Sequence, residues 1–183
     1  MSADDSGRIY LFYRIGLTHM TDTGGIAMRT SDTSGAVWSA PSLVHVDPEG
    51  YSANNVVECM CRDGSILLFI SRHDFVHKRR LPMFVRRSTN RGETWSAPEV
   101  FDDDPSRNNY YMTDVIRTSF GLLGCSAAFV PPGVQPCHNL IWHSGDDGRT
   151  WQVSSLLTSK DENIGDEVAM LEPEPGRILL ILR

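Results

Sequence analysis

One eight-residue frame, Ser-x-Asp-x-Gly-x-Thr-Trp, constrains this chain more than any other feature of its sequence. It is complete in SGDDGRTW, residues 144–151. It recurs as STNRGETW, residues 88–95, with Asn90 in place of Asp. A looser copy is SDTSGAVW, residues 31–38, where Ser31, Gly35 and Trp38 hold while Thr33 and Val37 replace Asp and Thr. The three tryptophans follow one another at intervals of 57 and 56 residues. A shared turn at a near-constant period marks a repeat architecture, in which each copy is one supersecondary unit.

The flanks repeat with the turn. A short apolar run precedes each copy (GIAMRT, PMFVRR, NLIWHS) and another follows it (SAPSLVHV, SAPEVF, QVSSLL). Between copies lies a second hairpin pattern. VVECMCRDGSILLFISR, TDVIRTSFGLLGCSAAF and EVAMLEPEPGRILLILR each set two β-rich runs around Gly64, Gly121 or Gly176. SGRIYLFYR matches the second half of that hairpin. No segment sustains a helical period, so helix is expected to be scarce. Four strands in about 56 residues is the size of a propeller blade, and the expected fold is all-β, a β-propeller of four-stranded antiparallel blades. In each turn, Asp or Asn can accept hydrogen bonds from the local backbone, Gly can adopt positive φ and Trp can pack between sheets. Asp146 and Asp147 are therefore expected to be structural rather than a catalytic carboxylate pair.

Composition excludes several function classes. Of 183 residues, 40% are hydrophobic and 22% charged, the balance of an ordinary folded domain with a sizeable core. A formal net charge of −6 argues against nucleic-acid binding led by phosphate contacts. The basic run His77-Lys78-Arg79-Arg80 is too short to reverse that. No stretch nears the roughly 20 apolar residues of a membrane span. MSADDSGRIY is acidic and polar rather than leader-like, and the compartment stays open. Cys59, Cys61, Cys125 and Cys137 lack C-x-x-C spacing, which argues against zinc and for buried free thiols. No metal or organic cofactor is indicated.

The repeated frame resembles the Asp-box, or bacterial neuraminidase repeat, found around the blades of sialidases and their relatives. The resemblance covers nearly the whole chain and implies a propeller of the six-bladed sialidase type. On that scale residues 1–183 are expected to form a single sialidase-like propeller domain of about three and a half blades, incomplete at both ends. The first strand of the opening blade and roughly two blades after Arg183 would lie outside it, or self-association with a second copy would complete the ring.

The same resemblance implies a site. Sialidases carry a Glu at the start of an inner strand, then a Gly turn and a strand ending in Arg. DEVAMLEPEPGRILLILR is similar, with Glu167, Gly176 and Arg183. Glu167 would be the base that activates a nucleophilic tyrosine, and Arg183 one of three arginines gripping the substrate carboxylate. That grip suits the planar guanidinium fork. The repeat adds Arg14 and Arg72, which end the same second strand seven residues after Gly7 and eight after Gly64, as Arg183 comes seven after Gly176. The family also uses a carboxylic acid on a loop to protonate the leaving oxygen. Asp74, in SRHDFVHKRR with His73 and His77 beside it, is the candidate. Asn54 and Asn55, in SANNVV, are candidates for binding sugar hydroxyls, and Tyr110 and Tyr111 for a stacking wall.

Two features depart from the family's pattern. The Arg-Ile of YRIG, residues 13–16, is not followed by Pro, and no nucleophilic tyrosine is assignable. The expected function is a sialidase-like glycoside hydrolase cleaving terminal, anionic sugars from glycoconjugates, with turnover residing in the full-length parent. The alternative is a non-catalytic Asp-box propeller that binds glycan or protein.

Overall fold

The computed structural model of the chain describes residues 1–17, 24–104, 106–107, 109–128, 138–157 and 167–183. Among them there is no helix, hence none long and apolar enough to cross a membrane. Within each sheet, strands adjacent in sequence pair antiparallel. The first sheet runs β1 (Ser2–Ala3), β2 (Ile9–Ile15), β3 (Gly25–Ser31) and β4 (Ser42–Val46) in that order. The second runs β5 (Tyr51–Met60), β6 (Ile66–Asp74), β7 (Arg79–Ser88) and β8 (Glu99–Val100). The third comprises β9 (Asn109–Thr118), β10 (Gly121–Ala128), β11 (His138–Ser144) and β12 (Gln152–Leu157). The last sheet has two strands, β13 (Val168–Glu174) and β14 (Arg177–Leu182).

Three four-stranded sheets and a two-stranded one match the expected blade pattern. The opening sheet differs from expectation in one respect. It already has a first strand, two residues long, with Ser2 opposite Tyr10 and Ala3 opposite Ile9.

The described residues form two compact units. Met1–Met60 with Gly64–Phe101 make the first, and Cys61–Asp63 with Asp102–Arg183 the second. In the first, Tyr10, Phe12, Ile26, Ile66, Leu68, Ile70 and Phe84 form the core. Burial of each such side chain contributes on the order of 1.5–3 kcal/mol. Trp95 of the second Asp-box packs edge-on against Phe12, ring centroids 5.8 Å apart, as expected of a tryptophan between sheets. In the second unit Leu123, Cys125, Ile141, Val168 and Met170 form the core. β10 is buried along its whole length, as befits a near-continuous apolar run covered on both faces. Cys59, Cys61 and Cys125 are buried free thiols, and Cys137 lies outside the described residues.

The three turns share one hydrogen-bond scheme. The Oγ of Ser31, Ser88 or Ser144 accepts the backbone N–H of the glycine four residues on, at 3.0, 2.8 and 2.8 Å. Asp146 Oδ1 accepts the N–H groups of Arg149 and Thr150, and the Thr150 hydroxyl donates to Oδ2 at 2.7 Å. Asn90 Oδ1 takes the Thr94 N–H at 3.0 Å, and Thr33 Oγ1 takes the Val37 N–H at 2.7 Å. Thr33 thus performs the acceptor role of the Asp it replaces. These donors, the Thr150 N–H foremost, hold the Asp146 carboxyl well below the usual carboxylate range. Asp146 is therefore a structural anion. The residue before each glycine, Ser34, Arg91 or Asp147, also has positive φ, at 52°, 58° and 57°.

Candidate functional site

In the first unit the ends of β2, β5 and β6 bring four of the expected site residues together. Arg14 is the penultimate residue of β2, and its Nε donates to the Ala53 carbonyl at 3.2 Å. Ala53 is the cross-strand partner of Arg72. The register then jumps, with Asn55 opposite Ser71, so Asn54 is the extra residue of a β-bulge. Arg14, Arg72, Asn54 and Asn55 therefore gather around one end of β5, all four half-buried. A bulge re-aims side chains and is common beside binding sites.

Arg72 leads to two residues that sequence reasoning missed. Its Nε lies 3.3 Å from Asp47 Oδ1, and His45 Nε2 lies 3.2 Å from the same oxygen. The Asp47 side chain is 1% exposed. The ring of Phe84 backs this cluster. The Arg72 guanidinium sits 5.3 Å from its centroid, and the His45 ring lies 4.9 Å from it. The available signal was the spacing of His45 and Asp47. Two residues apart at the end of a strand, they share one side of the sheet.

Asp74 does not stand on an exposed loop. It is the last residue of β6, fully buried, because Arg79 and Arg80 extend the pairing of β7 to Asp74 and His73. Its Oδ1 accepts the His77 backbone N–H at 3.0 Å, and its Oδ2 lies 2.8 Å from His77 Nδ1. Arg79 Nε donates to the same Oδ2 at 3.1 Å. The His77 backbone N–H above all, then the His77 and Arg79 side chains, hold the pKa down to about 2 against the upward pull of burial. So engaged, the carboxyl anchors the hairpin that joins β6 to β7. His73, the other expected neighbour, turns its ring to Phe75 at 4.7 Å.

In the second unit Glu167 immediately precedes β13 and Arg183 immediately follows β14. The Arg183 N–H donates to the Glu167 carbonyl at 3.0 Å, and Arg183 Nη1 lies 2.8 Å from Glu167 Oε2. Their side chains are 86% and 55% exposed, so both face solvent at one strand end. Tyr111 is half-buried on β9, and the side chain of Tyr110 lies outside the described atoms. Among the described residues no group of three or more His, Cys, Asp or Glu is arranged to hold a metal ion.

The whole chain, residues 1–183, matches the family model of the BNR repeat-like domain. The chain belongs to this family. The sheets of this BNR repeat-like chain are blades of a sialidase-type propeller, of which it holds a part. It is similar to a protein of unknown function from Dyadobacter fermentans, at 21% identity and a TM-score of 0.80, covering 99% of this chain and 60% of that one. A Hadza microbial sialidase is similar at 19% identity and a TM-score of 0.78, with 99% and 40% covered. The Trypanosoma rangeli sialidase is similar at 15% identity and a TM-score of 0.74, with 99% and 32% covered. The BNR repeat-like chain thus spans between 32 and 60% of the length of these structures. No curated protein sequence matches it.

Proposed function

We propose that this chain is part of a sialidase-like glycoside hydrolase that removes a terminal sugar bearing a carboxylate from a glycoconjugate. The observation that supports the reading is the Arg14 Nε bond to the carbonyl of Ala53, the cross-strand partner of Arg72, beside Asn54 and Asn55. In this reading Arg14 and Arg72 both contribute N–H donors to the substrate carboxylate, a role that suits the planar guanidinium. The neighbouring amides offer both donors and acceptors to sugar hydroxyls. The likeness of the fold to a microbial and a trypanosomal sialidase supports the choice of sugar class. In this reading Arg183 is a third cation for the carboxylate, and Glu167 takes the proton of a tyrosine supplied from outside this chain. The phenolate attacks the anomeric carbon as the bond to the leaving oxygen breaks and that oxygen takes a proton from water; a second water then releases the sugar with retention and returns the tyrosine. Tyrosine suits an anionic sugar, because it is neutral until the base takes its proton, whereas a carboxylate nucleophile would be repelled by the substrate's own charge throughout.

The test is release of a chromogenic phenol from an aryl sialoside by the full-length protein. Arg14→Ala and Arg72→Ala are each expected to raise KM more than tenfold, and Glu167→Gln to lower kcat. Unchanged constants in all three overturn the assignment. The engagement of Asp74 by three donors favours a second reading, a propeller that binds glycan without turnover. Sialoside binding with no product after long incubation selects it. Completion of the ring by a second copy is tested by the mass in solution, where a dimer supports it and a monomer rejects it.

A further inference from the structure

The hairpin between β6 and β7 presents cations on a fixed frame. Its tip is Phe75-Val76-His77-Lys78, and it leads into Arg79, the first residue of β7. Phe75 is tied down, because its backbone N–H donates to the Gly50 carbonyl at 2.9 Å. The next four residues, Val76 to Arg79, are all exposed. Lys78 takes a positive φ of 52°, which helps to reverse the chain into β7.

Asp74 organises this tip from beneath. Its carboxylate is fully buried, and two of the exposed side chains converge on one of its oxygens. His77 Nδ1 lies 2.8 Å from Oδ2, and Arg79 Nε lies 3.1 Å from the same atom. Arg79 thus spends its inner nitrogen on the protein. Its terminal nitrogens have no partner among the described residues, and its side chain is 66% exposed. Lys78 has no partner among the described residues either. An arginine on a solvated loop loses rotamer freedom when it grips a ligand. One already held through Nε loses less, so the outward edge of its guanidinium is a preorganised donor pair.

The chemistry of the ligand follows from the donors. The two terminal nitrogens of Arg79 form a planar fork, and Lys78 adds a rotatable ammonium from the adjacent residue. His77 Nε2 lies on the far side of its ring from Asp74. Donors from several neighbouring side chains suit an oxyanion with three oxygens on one centre more than a carboxylate with two. Charge selects among such oxyanions. Arg80, the next residue of β7, points to the opposite side of the sheet. Asp74 offsets one of Lys78 and Arg79, which leaves the tip a single positive charge. That balances a sulfate ester better than a phosphate ester, whose charge is nearly double. Val76, 67% exposed beside the cations, offers an apolar contact to the C–H face of a sugar ring.

We propose that the tip of the β6–β7 hairpin binds the sulfate ester of a sulfated glycan. Arg79 grips two ester oxygens, Lys78 neutralises the charge and Val76 rests against the sugar ring. The choice of a glycan as carrier rests on the function proposed above. The oxyanion site rests on Asp74, His77 and Arg79.

Amide chemical-shift titration of the 183-residue chain tests it, with galactose 6-sulfate as probe. The amides of Val76 to Arg80 are expected to shift and saturate. Galacturonate is expected to bind at least fivefold more weakly, galactose 6-phosphate no more tightly than the sulfate, and galactose not at all. Arg79→Lys keeps the charge and loses the fork, so it is expected to weaken the sulfate at least fivefold. Arg177→Ala removes a cation outside the hairpin, 73% exposed, and is expected to stay within twofold. Unchanged binding in Arg79→Lys would reduce the tip to a solvated patch of charge and overturn the site. No shift at the tip, or tighter binding of galacturonate or of the phosphate ester, would overturn it as well. Cosedimentation with phosphatidylserine vesicles and no response to galactose 6-sulfate would assign the tip to a lipid surface instead. Saturating shifts at the tip without sialoside hydrolysis by the full-length protein would uphold the site and overturn only the function proposed above.

Discussion

Asp74 and His77 are bound to each other twice, through the His77 backbone N–H at 3.0 Å and through its Nδ1 at 2.8 Å. With Arg79 they turn a residue that reads as a loop acid into a hairpin anchor. The sequence pattern offered no reason to expect this, because the donors come from beyond the β6 end and depend on how far β7 pairs back.

The first prediction concerns acid stability. The Asp74 pKa is depressed from 3.8 to about 2 in the folded chain. A group depressed in this way adds stability above its unfolded pKa and loses it as pH falls through the folded one. Its contribution is therefore complete above about pH 4 and fades toward pH 2. Chemical denaturation followed by tryptophan fluorescence from pH 5 to pH 2 is expected to give a shallower loss of stability in Asp74→Asn than in the native chain. Identical slopes would show that the carboxylate is not held as described.

A second prediction separates anchor from acid in the full-length protein. Asp74→Asn is expected to lower hydrolysis of aryl sialosides with good and poor leaving groups by the same factor. A selective loss on poor leaving groups, with activated ones spared, would return the general-acid role to Asp74.

The Asp-box turn supplies a third. Asp146 satisfies two backbone N–H groups and the Thr150 hydroxyl, so Asp146→Ala is expected to destabilise the chain by about 1–2 kcal/mol. Asn90→Asp keeps the acceptor for the Thr94 N–H and is expected to stay within about 0.5 kcal/mol of the native chain. Urea midpoints of the two variants check the contrast. Equal losses at both positions would contradict it.

Asp114 supplies the fourth. Its Oδ2 accepts the Met170 N–H at 2.6 Å, joining β9 to β13, and burial pushes its pKa upward. A raised carboxyl pKa means that stability is fullest below the unfolded value and declines as pH rises through the folded one. Asp114→Asn keeps the acceptor and removes the buried charge, so it is expected to match or exceed native stability at pH 7. Asp114→Ala leaves the Met170 N–H without that acceptor and is expected to cost about 1–3 kcal/mol. Thermal melts at pH 7 read both, and a destabilised Asn variant would contradict the charge argument.

The blade register was legible from the chain because its determinants are local. Ser31, Ser88 and Ser144 each bond a glycine four residues away, and Asp146, Asn90 and Thr33 cap the same short loop. Such bonds form within a few residues, so their chemistry is written in consecutive letters. The left-handed position before each glycine was not legible. Ser34, Arg91 and Asp147 share a backbone conformation but no side-chain type.

The candidate site divides along the same line. The equivalence of Arg14 and Arg72 as strand ends follows from the repeat alone. That Arg14 bonds the carbonyl of Ala53, the partner of Arg72, and that Asn54 is a bulge, only the pairing of β5 with β6 and with its neighbours reveals. Asp47 is an unremarked residue after β4 until Arg72 and His45 are placed beside it. Sequence by itself therefore determined the strand order and the turns, where each residue answers to near neighbours. Tertiary structure decided which carboxylate is shielded and which side chains Asp47 and Arg14 meet, because those properties depend on groups brought in from separate strands.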